Sequence, residues 1–259
     1  MPRTPRVGTR RARPDEQLSV VEHLDELRRR LIISALALVV AFAGMYAVHD
    51  ALIDVLTWPL PDDTGRLVTL SPTEPFFTTL KVTFWASVLI ALPVWLYQAY
   101  AFVIPAVADQ PRRVVLAVVA SLSGLFAAGV AFGYVVVLPV ALEFLTGFGG
   151  GTFDTQLRAG EYFGFATTML LASGLLFEVP VAMTALSRMG VTSAQMYRTH
   201  WRVALVGIAA VAAILPGGDP ISMVLLMLPQ FALYGVGIAL SARFGQAPPW
   251  RSEEEPGPA

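Results

Sequence analysis

Four stretches of this chain carry no charged residue: Leu31 to Val48, Val82 to Ala108, Val114 to Leu142 and Ile221 to Ala242. A helix rises 1.5 Å per residue, so about 20 apolar residues cross the roughly 30 Å hydrocarbon core of a bilayer. Repeated in one chain, runs of this length dictate a multipass, all-α membrane protein. The composition agrees: 55% of the 259 residues are apolar and 14% are charged, against about 25% charged in an average soluble domain. A soluble enzyme and a disordered chain are both excluded.

Six transmembrane helices can be drawn. They run from about Leu31 to Val48, Val82 to Phe102, Val114 to Val137, Tyr162 to Ser187, Val203 to Leu215 and Ile221 to Leu240. The fifth covers roughly 20 Å before Pro216-Gly217-Gly218 breaks it, so helices five and six are expected to form a short hairpin. Pro93, Pro105, Pro139, Pro180 and Pro229 fall inside or at the ends of spans, which predicts a kinked, concave bundle. Gly124, Gly129 and Gly133 open the third span to close approach by a neighbour, the last two at GxxxG spacing.

Orientation follows from the basic residues. Fifteen arginines fall on one side: Arg3, Arg6, Arg10, Arg11, Arg13, Arg28 to Arg30, Arg112, Arg113, Arg188, Arg198, Arg202, Arg243 and Arg251. The other side has Arg66, Lys81 and Arg158 alone. The positive-inside rule places both termini in the cytoplasm. Residues 1–18 read as a disordered basic leader suited to resting on anionic lipid. Residues 19–244 form the membrane domain, and 245–259 a disordered cytoplasmic tail. Thirty mostly polar residues precede the first apolar run, and no small-residue cleavage site follows it, so that run is expected to remain as a span. Asp50 to Pro75, rich in acids and prolines, is expected outside and built from turns rather than a long helix.

Few residues can carry chemistry. The chain has no cysteine, three scattered histidines and a single lysine. No nucleophile–base set, metal cluster or phosphate-cradling loop can be assembled from them, and no cofactor or enzymatic reaction is expected. Two acidic features remain. Glu22, Asp25 and Glu26 lie at i, i+3 and i+4, so one helix face beside the membrane carries three carboxylates. That face can bind a cationic ligand, or it can close internally as Asp25–Arg29 and Glu26–Arg30 pairs. Glu178 is the only charge in the fourth span, where ionisation costs roughly 2.5–3.5 kcal/mol. It is expected either to hydrogen-bond a neighbouring helix or to meet a passing polar segment. Pro180, two residues on, cannot donate to the carbonyl of Leu176.

The order of motifs then resembles a known family. His23-Leu-Asp-Glu-Leu-Arg-Arg-Arg-Leu31, Ser71-Pro-Thr-Glu-Pro-Phe-Phe77, Lys81-Val-Thr-Phe84 and Leu92-Pro-Val-Trp-Leu-Tyr-Gln-Ala-Tyr-Ala-Phe102 occur in sequence. Pro105-Ala-Val, Phe177-Glu-Val-Pro180 and Pro216-Gly-Gly-Asp-Pro220 follow. Together they resemble TatC, the multipass core subunit of the twin-arginine protein translocase. The resemblance implies a plasma-membrane receptor for the signal peptides of folded proteins, an assembly platform for single-span TatA- and TatB-like partners, and proton-motive-force-driven transport. Carried over residue by residue, it assigns signal binding to Glu26, with Arg28 as its basic neighbour and Phe102 ending the second span. It also marks Glu178 as the intramembrane acid and Asp219 as the acid of the last external turn.

The sequence departs from the family pattern in two places. Pro111 stands where a second signal-binding Glu is often found, so the further charge falls to Asp109, or to Glu22 or Asp25. The partner-docking positions near the last hairpin correspond to Leu215 and Met223, both apolar, which implies docking by packing. A second functional class, a proton- or cation-coupled solute transporter using Glu178, meets the composition but not the absence of internal repeats.

Overall fold

Charges and prolines set the helix boundaries. The computed structural model describes residues 20–61, 66–103, 112–148, 156–214 and 219–245. Among these residues every regular element is helical: α1 (Val20–Ala47), α2 (His49–Thr57), α3 (Glu74–Val103), α4 (Arg112–Phe132), α5 (Leu138–Gly147), α6 (Ala159–Phe177), α7 (Val179–Arg188), α8 (Ala194–Thr199), α9 (Trp201–Ile214) and α10 (Pro220–Phe244). Five stretches are long and apolar enough to cross a membrane: His23–Ala47, Glu74–Ala99, Leu116–Gly147, Ala159–Arg188 and Pro220–Phe244. Trp201–Ala213 is apolar but shorter. The basic leader, Asp109, Pro111, Leu215 to Gly218 and the tail beyond Gly245 lie outside the described residues.

Of the two helices expected to be short, α9 is, with 14 residues. Helix α10 is not: its 25 residues span about 37 Å. Its start is fixed by Asp219, whose Oδ1 accepts from the Ser222 amide at 2.7 Å, and by Pro220, which suits a first turn. Its end continues past Leu240 through Ser241-Ala-Arg-Phe244, where the polar Ser241 and charged Arg243 interrupt an apolar window.

Prolines reshape two other spans. The third does not stop at Val137: a π turn over Gly133–Val137 joins α4 directly to α5. Pro139 follows that turn at the head of α5. There its ring would crowd the carbonyl four residues back in a regular helix, and the wider turn relieves this. The fourth span breaks at Glu178, which ends α6 with φ −76° and ψ −8° and precedes α7. Pro180 sits at the start of α7, as the missing donor to Leu176 predicts.

Close helix contact occurs where two of the three glycines stand. A Cβ on Gly129 would lie 2.6 Å from the Ser173 carbonyl oxygen, and one on Gly133 2.7 Å from Ser173 Oγ. Gly124 faces open space. Helices α4 and α6 therefore meet through bare backbone, and Leu138, Leu142, Tyr162, Ala166 and Leu170 form the adjoining core.

The segment between the first two long helices contains the nine-residue helix α2. Its last-turn carbonyls lack regular helical partners; the Trp58 amide reaches that of Val55 at 3.3 Å and Thr57 Oγ1 that of Asp54 at 3.0 Å. Tyr134 Oη donates to the Val55 carbonyl at 2.6 Å, and Tyr162 Oη to that of Leu56 at 2.5 Å. Two spans thus hold α2 in place by hydroxyls.

Candidate functional site

The start of α1 packs beside the end of α3, since the two helices run in opposite directions. Glu26 is half-buried, while Asp25 and Arg28 are exposed; Glu22 lies in the first turn of α1. Only one of the two expected i, i+4 pairs closes. Arg30 Nε donates to Glu26 Oε1 at 3.0 Å, and Arg30 Nη2 pairs with the same oxygen. Arg30 Nη1 then reaches Gln98 Oε1 on α3 at 3.3 Å. The His23 ring stacks on Phe102, with centroids 4.5 Å apart and planes at 20°. One turn further along α1, Trp95 Nε1 donates to the Ser34 carbonyl at 2.9 Å. Glu26, His23 and Phe102 thus share one surface across α1 and α3. Gln98 and Trp95 are its unforeseen supports. A tryptophan N–H within a span requires an acceptor, and that is the signal which could have identified Trp95.

Glu178 occupies the break between α6 and α7. Both of its carboxyl oxygens are buried, and neither makes a hydrogen bond with any described group. The Phe126 backbone on the neighbouring α4 acts on the carboxyl without closing a well-formed hydrogen bond. A buried acceptor without a donor costs roughly 1–3 kcal/mol, and more if charged. Glu178 is therefore an open acceptor inside the membrane-spanning region.

The last hairpin divides its candidates. Asp219 is buried as the cap of α10, with Oδ2 unpartnered. Met223 is half-buried and packs on the cluster of Val137, Met169 and Leu226. Gln230, one turn beyond Leu226, is 1% exposed, and neither atom of its amide finds a partner. A search for charges passes over this residue; a search for any side chain with two polar atoms inside an apolar run would have found it.

At the opposite end one buried acid is closed by its neighbours. Glu74 is 8% exposed. Its Oε2 accepts from the Leu70 amide at 2.9 Å, and its Oε1 from Arg158 Nε at 2.8 Å and the Gly160 amide at 3.2 Å. The hydrogen bond that Arg158 donates to Glu74, and then the carboxylate's charge, hold the guanidinium pKa above its ordinary value. Reciprocal backbone bonds join Val68 to Leu157 and Ala159, each at 2.9 Å.

Helices of this length and apolarity define a multi-pass membrane protein, and the described residues contain no His, Cys, Asp or Glu group able to hold a metal ion. Residues 22–229 match the family described as "Sec-independent protein translocase protein (TatC)". A Sec-independent protein translocase protein TatC from Deinococcus radiodurans is 37% identical over 244 residues, covering 92% of this chain and 90% of that protein. The chloroplastic TATC of Pisum sativum is 34% identical over 221 residues; the match covers 85% of this chain and spans 63% of the pea protein's length. A crystal structure of the twin-arginine translocase receptor TatC in the detergent DDM superposes with a TM-score of 0.75 at 32% identity, covering 85% of this chain and 99% of that one.

The chain belongs to the TatC family. Its members are components of the Tat protein translocase, a membrane complex with further subunits, and are not known enzymes.

Proposed function

We propose that this protein is the signal receptor of the translocase. Its arginine-rich end would face the cytoplasm of a bacterial-type plasma membrane, and Glu26 would read the paired arginines of signal peptides on folded precursors. In this reading α9 is a sixth span, both termini are cytoplasmic, and TatA- and TatB-like subunits dock near Met223, Leu215 and Asp219. Glu178 supplies the polar meeting point within the membrane, and the proton-motive force drives transport. Asp25, Glu22 or Asp109 adds the second negative charge, with Arg28 and Phe102 flanking.

One observation carries the proposal. Glu26 already accepts a guanidinium, and both of Arg30's contacts fall on a single carboxylate oxygen, Oε1. Oε2 remains as an acceptor for a signal arginine, and the two-oxygen fork that an ammonium cannot reproduce forms when that arginine displaces Arg30.

A charge-assisted hydrogen bond of about 1.5–3 kcal/mol corresponds to roughly 10- to 150-fold in affinity. Glu26→Gln is therefore expected to weaken a twin-arginine peptide by that factor in nanodiscs, and a twin-lysine peptide much less. Double-mutant cycles between Glu26 and each signal arginine measure the coupling. Zero coupling, with binding abolished by Asp109→Asn, would move the site to the loop between α3 and α4. Orientation is tested separately, because the chain has no cysteine: an impermeant thiol reagent should label Arg66→Cys from outside intact cells and Arg198→Cys only after lysis.

A further inference from the structure

A slot of about 330 Å³ opens at the arginine-rich end between α4, α7 and α10. Its walls are the small residues Ala117, Ser121 and Ala185, with Val181, Leu240 and Phe244. The two hydroxyls that line it are already used. Ser121 Oγ donates to the Ala117 carbonyl at 2.8 Å and Thr184 Oγ1 to that of Pro180 at 2.7 Å, so the slot presents an almost wholly apolar surface.

Each of the three helices brings an arginine to the mouth of the slot. Arg188 lines it on α7; its Nε donates to the Phe244 carbonyl at 3.3 Å, and its guanidinium carbon lies 5.9 Å from the Phe244 ring. Arg243 on α10 approaches the same ring at 5.8 Å. Arg113 is exposed one turn before Ala117 on α4. Among the described residues no carboxylate lies within ion-pairing distance of any of the three.

We infer that this slot binds an anionic glycerophospholipid, with one acyl chain between α4, α7 and α10 and the phosphate among Arg113, Arg188 and Arg243. Charge complementarity decides the occupant. Three unpaired guanidiniums at the end of apolar spans are a phosphate site in the membrane interface. The inference does not depend on the receptor reading: a lipid can sit here whatever Glu26 binds.

Native mass spectrometry of the purified chain, titrated separately with dioleoyl phosphatidylglycerol and dioleoyl phosphatidylcholine, tests it. Phosphatidylglycerol is expected to be retained in preference. Each arginine near a membrane surface contributes enough to make Arg188→Gln lower that preference about fivefold, and Arg188→Lys should keep most of it. Ala185→Phe, which fills the slot, should remove the bound lipid, while Arg198→Gln, an exposed arginine away from the slot, should change nothing. Equal retention of the two lipids overturns the inference, as does retention insensitive to both Arg188→Gln and Ala185→Phe. So does a Ser121→Cys variant that crosslinks to a single-span partner in the assembled complex and carries no lipid there.

Discussion

The two ends of the bundle hold their acid–base pairs differently. At the Glu74 end, Glu74 accepts three donors and Arg158 is its ion partner, so two segments 84 residues apart are tied by groups whose valences are nearly filled. At the arginine-rich end, Arg30 alone pairs with an acid, and Arg113, Arg188, Arg198, Arg202 and Arg243 have no carboxylate partner among the described residues. A buried charge must be satisfied from within the chain or the fold loses several kcal/mol. An exposed charge has no such requirement and stays available. The first arrangement supports the architecture, and the second leaves binding capacity.

The contrast predicts unequal responses to mutation. The largest expected effect is Arg158→Ala, which leaves the Glu74 carboxylate without its cation and should lower the thermal unfolding temperature in detergent more than either of the next two substitutions. A variant unfolding with the wild type would mean that the Leu70 and Gly160 amides suffice. Next is Tyr162→Phe, which removes the bond to the Leu56 carbonyl and should cost about 1–2 kcal/mol; increased proteolysis between α2 and α3 would report it. The smallest is Arg30→Gln. A partly exposed i, i+4 pair contributes about 0–1 kcal/mol, so stability should barely change. Removing a like charge beside Glu26 should tighten twin-arginine peptide binding by up to about fivefold. Weaker binding would instead show that Arg30 and Gln98 position the Glu26 carboxylate.

These expectations also divide what the sequence could and could not disclose. The spans were legible because apolar runs act locally, and the break before Pro180 was legible because a missing N–H acts on the carbonyl four residues back. The close approach at Gly129 and Gly133 followed from spacing alone. The Glu74–Arg158 clasp was not readable. Its partners stand at the start of α3 and just before α6, and nothing in either neighbourhood names the other. Helix α2 was hidden for a similar reason: its carbonyls are satisfied by tyrosines from spans far along the chain. At the candidate site, the i, i+4 rule identified Glu26–Arg30 but equally allowed Asp25–Arg29, and packing against Gln98 accompanies the one that forms. The full length of α10 was missed because an apolar window stops at Ser241, whereas a helix needs only backbone bonds to continue.

The π turn at Gly133–Val137 has a consequence for comparing chains of this kind. A π turn holds roughly one residue more than an α turn, so everything after it is set back by about 100° around the helix axis. That angular offset turns Leu138, Ala141 and Leu142 inward, where each is buried, although Gly129 and Gly133 already define the inward stripe before it. A one-residue gap placed within a membrane span normally signals a faulty alignment, because it would rotate half the helix out of phase. Here such a gap is physically sound: a relative lacking one residue between Gly133 and Val137 can run a plain α-helix through this point and keep both halves of the buried stripe in phase.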